Sequence, residues 1–229
     1  MDFNKTLKDF YIFTKEISTQ NLLNYKNLNY LAHIYLSDDD DFIKIGNFMA
    51  DAVKGNHYEQ YPIGIQIGIR LHRFIDSFTD SHAVYRQSKH RLHEKFGHYS
   101  GVIMDIVYDH FLAKNWKQYS KTKLEDYADD FYTLLQDNYN ILTEKTQNSL
   151  PYMMETNWLV CYKTLAGLEL ILFQMDHRTQ HRVNMPAAME DIKEFYTEIE
   201  QEFFIFFTEL EQQCKLELDK LRNEFDYRN

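Results

Sequence analysis

Between Ile63 and Trp116, apolar residues recur at helical intervals, with carboxylates and imidazoles set among them at the same interval. Ile69, Leu71, Ile75 and Phe78 mark the buried side of one helix. Ile103, Ile106, Val107, Phe111 and Leu112 mark that of a second. His72, Asp76 and Asp80 fall four residues apart, and at about 3.6 residues per turn this stacks them along one face. Asp105 and Asp109 repeat the step, and His110 follows directly. Such groups on helices this apolar cost several kcal/mol unless paired, hydrogen-bonded or bound to a cation. A divalent metal shared between the two helices would relieve all of them at once.

The flanking segments extend the helical pattern. Asn29 to Ser37 is a short apolar stretch holding His33, and a lone histidine there reads as either a satisfied core residue or a ligand. Asp38 to Asp41 supplies the cap and first turn of a helix over Phe42 to Lys54, where Asn47 and Asp51 share a face and Gly55 suits the end. Pro62 begins the central helix, Ser81-His82 marks a turn, and Gly97 and Gly101 bracket the start of the second ligand helix. Beyond Lys121 the pattern is plain amphipathic helix: Leu124 to Leu135, Trp158 to Leu172, and a long stretch opened by Pro186 with Phe195, Ile199, Phe203, Phe206, Phe207 and Leu210. These aromatic stripes read as core. Arg178 and Arg182 share a face beside His177 and His181, and surface charge is the simpler reading of them. The expectation is an all-α, single-domain helical bundle, and the 7 Gly and 3 Pro in 229 residues leave little material for strands and turns.

Charge narrows the partners. The formal net charge is −10, which argues against a nucleic-acid surface. From Gln66 to His98, however, six basic and three acidic residues give a local balance of +3, suited to a small phosphate or an acidic protein. Eight of the 10 histidines lie between His33 and His110, a clustering more telling than any one of them. Cys161 and Cys214 are too few for a disulfide framework. With no apolar run long enough for a secretory signal or a membrane span, a cytoplasmic location is expected.

Four segments together carry a resemblance. Asn29-Tyr-Leu-Ala-His33, Gly46-Asn-Phe-Met-Ala-Asp51, Gly68 to His82 and Tyr99 to Ala113 resemble the acyl carrier protein phosphodiesterase family, over about Asn29 to Leu210. The resemblance implies an irregular form of the HD-type metal-dependent phosphohydrolase fold. It also implies removal of the 4′-phosphopantetheine arm from acyl carrier protein with a divalent metal, most typically Mn²⁺, with Mg²⁺, Fe²⁺ or Co²⁺ as alternatives. This chain departs in two ways. It has no His-Asp dipeptide, the order at 109–110 being Asp-His, and Leu28 stands where the family pattern begins with Met. Residues 1–28 are therefore expected to be an N-terminal extension, with the catalytic domain in 29–229.

On this reading the metal ligands come from His33, Asp51, His72, Asp76, Asp109 and His110, with Asp80 and Asp105 as further ligands or as partners orienting the imidazoles. Asp51 is alternatively the base that orients water, and His82 a candidate acid for the leaving serine oxygen. Arg70 and Arg73 are expected on phosphate oxygens, and Arg86 and Lys89 on the face that docks an acidic carrier protein. Two competing readings stay open: a phosphohydrolase of nucleotides or other small phosphoesters, and a non-enzymatic helical protein whose polar clusters are salt bridges. A di-iron carboxylate bundle does not fit, since the ligand helices lack Glu-x-x-His pairs.

Overall fold

The computed structural model describes residues 30–227; the expected extension over 1–28 lies outside them. Among the described residues there are eleven α-helices and no strand, so the all-α expectation holds. They are α1 (Tyr30–Tyr35), α2 (Asp41–Met49), α3 (Ile63–Ser81), α4 (Ala83–Phe96), α5 (Tyr99–Lys114), α6 (Leu124–Asp137), α7 (Glu144–Glu155), α8 (Trp158–Cys161), α9 (Leu165–Arg178), α10 (Ala188–Glu194) and α11 (Tyr196–Glu224). No described helix is long and apolar enough to cross a membrane.

Helices α2 and α3 pack backbone against backbone, and two glycines make it possible. A Cβ on Gly46 would strike the backbone of Ile65, and one on Gly68 would strike the carbonyl of Ile43. Removing both side chains brings the two backbones together and carries Asn47, on α2, up against His72, on α3. Asp40 caps α2 by accepting from the Ile43 amide at 3.0 Å, as the acidic run predicts.

Helix α11 packs across α3, α4 and α5. Its buried stripe of Ile199, Phe203, Phe206, Phe207 and Leu210 is core, as its spacing predicts. It is braced to α4 by Glu202, a buried carboxylate that receives Gln87 at 2.7 Å, the Ser88 hydroxyl, and both terminal nitrogens of Arg91 at 2.6 Å. A buried charge needs this degree of pairing.

Three helix boundaries differ from the sequence reading. The stretch from Trp158 to Leu172 is divided between α8 and α9, which are separated at residues 162–164. Helix α2 ends at Met49 and tightens into a 3-10 turn over Ala50–Ala52, so Asp51 stands on that turn. The stretch opened by Pro186 is also two helices, broken at Phe195, whose backbone (φ −101, ψ 21) leaves the helical region. Apolar periodicity alone does not register such a break, because both pieces bury the same kind of stripe.

Candidate metal centre

Asn47 organises the centre. It is fully buried, and its amide nitrogen donates to the His33 carbonyl (2.8 Å) and to Ser37 Oγ (2.9 Å). The Ser37 hydroxyl spends its own hydrogen on the His33 carbonyl (2.8 Å), so it can only accept from Asn47. This fixes Asn47 Oδ1 as an acceptor, and it faces two ring nitrogens: His33 Nδ1 at 2.8 Å and His72 Nδ1 at 3.1 Å. Both imidazoles therefore carry a proton on Nδ1, and the two rings stack with centroids 4.1 Å apart.

Both Nε2 atoms then point the same way, at carboxylates. His33 Nε2 lies 3.4 Å from Asp76 Oδ1; His72 Nε2 lies 3.3 Å from Asp76 Oδ2 and 3.4 Å from Asp51 Oδ1. Ligand atoms of His33, His72 and Asp76 all fall within 4.8 Å of one another, close enough to share one ion. His72 Nε2 is buried yet makes no well-formed hydrogen bond. Two buried imidazoles aimed at two carboxylates fit a divalent cation, and the mixed nitrogen and oxygen donor set suits a first-row metal or Mg²⁺. Without a metal, a proton takes the cation's place. Burial by itself would lower the His72 value, but hydrogen bonds and charge from Asp51 and Asp76 outweigh it and raise it to about 9. Burial works against the ionised form of both carboxylates as well, but the imidazoles outweigh it and hold both below the usual carboxylate range.

The centre opens into a cleft of about 290 Å³ between α3, α4, α5 and α11. His33, Asp76 and Asp109 line it, together with Asp80 of α3, Lys89 of α4 and Phe206 of α11. Asp109 accepts from the amides of Leu31 (3.1 Å) and Ala32 (2.9 Å), fastening α1 to α5 just ahead of His33. Asp105 accepts from the Tyr85 hydroxyl at 2.6 Å. Burial pushes both carboxyls up to about 7.

The family model for acyl carrier protein phosphodiesterase matches residues 28–210. The chain belongs to this family. It is 31% identical to an acyl carrier protein phosphodiesterase of Pectobacterium atrosepticum over 82% of its own length and 98% of the relative's. Against that of Photorhabdus laumondii the identity is 30% over 79% and 91%, and against that of Escherichia coli O6:H1 it is 26% over 82% and 97%. No solved structure matches the chain.

In this family member the expected site residues divide. His33, His72 and Asp76 come together with Asp51, whereas Asp80, Asp105 and Asp109 line the cleft outside that cluster. His110 turns away. Its Nδ1 donates to the Tyr162 carbonyl and its Nε2 meets the Tyr196 hydroxyl, both at 2.7 Å, and burial lowers its value. Successive helical residues project about 100° apart, and on α5 that step turns His110 away from the cleft, toward Tyr162 and Tyr196. The same geometry turns Arg70 to the far side of α3, where it grips Glu224 at 2.5 and 3.0 Å. Arg73 donates to the carbonyls of Val53 (3.1 Å) and Gly55 (2.7 Å) and lies over the Tyr58 ring. It secures the loop behind Asp51. His82 packs against Phe78 and Phe206, with Nε2 3.2 Å from Glu209, and is absent from the cleft lining. Arg86 is exposed and bonded to the Ser81 carbonyl, whereas Lys89 lines the cleft.

Sequence reasoning placed Asn47 on the Asp51 face without giving it a role. A fully polar side chain in the run Ile43 to Met49 was the available signal. Tyr85 gave none, since an aromatic at helical spacing reads as core.

Proposed function

We propose that this protein hydrolyses the phosphodiester joining 4′-phosphopantetheine to a serine of acyl carrier protein, releasing the apo-protein. The observation that carries the reading is the convergence of His33 and His72 Nε2 on the Asp76 and Asp51 carboxylates, beside a cleft that His33 and Asp76 line, in a member of this family. A divalent cation held by His33, His72 and Asp76, most typically Mn²⁺, would neutralise phosphate oxygens and ease the ionisation of water. Asp51 orients the water and takes its proton as the water oxygen attacks phosphorus in line. As the bond from phosphorus to the serine oxygen breaks, Asp105 supplies that oxygen's proton. It lines the cleft, its burial holds a proton to about 7, and Tyr85 fixes its position. Asp109 acts through His33, by holding the two amides that precede it.

The carrier protein approaches over the local basic face that includes Arg86, in a cytoplasmic setting. The HD-type kinship implied by the sequence agrees with histidines and aspartates meeting from separate helices. The deciding experiment incubates the protein with holo-carrier protein and Mn²⁺ and follows the carrier by mass spectrometry. Conversion to the apo form is expected, and chelation should stop it. An unchanged holo mass, with nucleotides hydrolysed instead, would replace this reading by a small-phosphoester hydrolase.

A further inference from the structure

We propose that Lys89 is a substrate-contacting cation, whose ammonium neutralises a non-bridging phosphoryl oxygen inside the cleft. It would thus act on the reacting group itself and not on the carrier protein's surface. The inference rests on the reading of the site as one that hydrolyses phosphodiesters.

The cleft is acidic, with the carboxylates of Asp76, Asp80, Asp105 and Asp109 all lining it. An anionic diester enters against that field unless a positive charge beyond the metal cluster offsets it. Among the described residues that line the cleft, Lys89 is the only lysine or arginine. Neighbouring cations on α4 are committed elsewhere: Arg86 to the Ser81 carbonyl, Arg91 to Glu202, and Lys95 to Asp191.

Lys89 is held loosely by comparison. Its nearest carboxylate oxygen is Asp80 Oδ1 at 3.5 Å, on a side chain 76% exposed, and exposed pairs of this kind contribute little. Its stem passes between Tyr85 and Gly101. The ammonium sits 5.4 Å over the Tyr85 ring, and the stem crosses Gly101, where even an added Cβ would stand 3.6 Å from Lys89 Cδ. Asp80 lies four residues beyond Asp76 on α3, a rise of about 6 Å, so the carboxylate that Lys89 meets stands about one turn along the helix from that of the cluster. A point charge on a flexible stem suits a phosphoryl group whose oxygens shift as the bond breaks, better than a rigid fork. Tyr85 thereby serves two groups, supporting Lys89 with its ring and Asp105 with its hydroxyl.

Lys89→Met and Lys89→Arg, loaded with Mn²⁺, test this with two substrates: holo-carrier protein and the small diester bis(4-nitrophenyl) phosphate. Thermal melts and metal content of both variants should match the parent. Removing one charge-stabilising donor typically costs about 10²-fold. Lys89→Met should lower kcat/KM by that order on both substrates, mainly through kcat, and Lys89→Arg should restore part of it. Inorganic phosphate binding to the Mn²⁺-loaded protein should weaken about 10-fold in Lys89→Met by calorimetry, a readout independent of turnover. If Lys89→Met raises KM for the carrier protein alone and leaves the small diester and phosphate binding unchanged, Lys89 is a docking residue and the inference fails. Unchanged kinetics and phosphate binding would overturn it equally. Failure of the parent protein to convert holo-carrier protein would sink the functional proposal instead, while phosphate binding would still decide the role of Lys89.

Discussion

Among the described residues, two pairs of histidines meet ring to ring beside an aspartate, and only one of them joins a group that could hold a metal ion. His33 and His72 stack with their Nδ1 atoms pinned by a single buried amide, leaving both Nε2 atoms aimed at carboxylates. His177 and His181 instead satisfy each other, Nδ1 to Nε2 at 3.2 Å, and His181 Nδ1 is held by Asp176 at 2.6 Å. The second pair is solvent-facing, and Asp176 also receives the Met185 amide at 3.0 Å, so the group staples a loop. The i, i+4 step from His177 to His181 is the same as that from His72 to Asp76. What distinguishes a site is a pair of buried ring nitrogens aimed at carboxylates, here set by Asn47 on the opposite edge of both rings.

The largest effect should come from breaking the first pair's convergence. Asp76→Ala and His72→Ala are expected to abolish Mn²⁺ retention after dialysis and to lower turnover of holo-carrier protein by about 10³-fold or more, since electrostatic and metal contributions dominate such reactions. His177→Ala and His181→Ala should leave both measurements at parental values. Loss of metal in the second set would mean that the two pairs are not different in kind.

Asn47→Ala comes next. It leaves the ligands in place but frees the imidazoles to rotate and change tautomer. Partners of metal-bound histidines are typically worth about 10- to 100-fold in affinity, and that range is expected for Mn²⁺ titrated into the variant. Orphaning the buried groups it serves should also cost about 1–3 kcal/mol in urea unfolding. A variant that melts lower but binds metal as tightly would reduce Asn47 to a packing residue.

This contrast explains how much of the centre could be read from sequence. The helices, the caps at Asp40 and Pro62, and the grouping of His72 with Asp76 follow from period and spacing, because these are local properties. His33 was ambiguous alone, and only the approach of α2 to α3, which Gly46 and Gly68 permit, resolves it. His110 and Asp109 were read as a unit because they adjoin in sequence, although adjacency on a helix separates directions. Arg70, Arg73 and His82 were assigned by charge and proximity along the chain. Their actual partners, Glu224, Gly55 and Glu209, depend on how distant elements pack.

The pH dependence sharpens the comparison further. In the metal-free protein His72 keeps its proton up to about 9, and that proton must leave before Nε2 can ligate. Mn²⁺ affinity should therefore rise between pH 6 and 9, with about one proton released per ion at pH 7.5 in calorimetry across buffers of different ionisation enthalpy. The folded value of His72 lies above its ordinary 6.5, so its stabilising contribution is complete below 6.5 and lost as pH rises through about 9. Asp105 and Asp109, raised from 3.8 to about 7, act in the same direction: their contributions are lost as pH rises through about 7. The metal-free protein should melt lower at pH 9 than at pH 6, and Mn²⁺ should narrow the gap. Binding without proton release would mean that the imidazole is already free.

The smallest effect belongs to the second pair. Between α9 and α10 the backbone of Gln180 (φ 59), His181 (φ 55) and Asn184 (φ 49) is left-handed, a conformation that resists side chains other than glycine and asparagine. Asp176 holds this turn closed from beneath, one oxygen on His181 and the other on the Met185 amide. Asp176→Ala should cost about 1–3 kcal/mol by leaving that buried amide unpaired. His181→Ala should cost less than about 1 kcal/mol, since an exposed pair contributes little. Neither should move the Mn²⁺ titration midpoint, because the staple and the centre have no atom in common. A shifted midpoint in Asp176→Ala would show instead that the loop after α9 supports the cleft, and the two imidazole pairs would have to be treated as one coupled system.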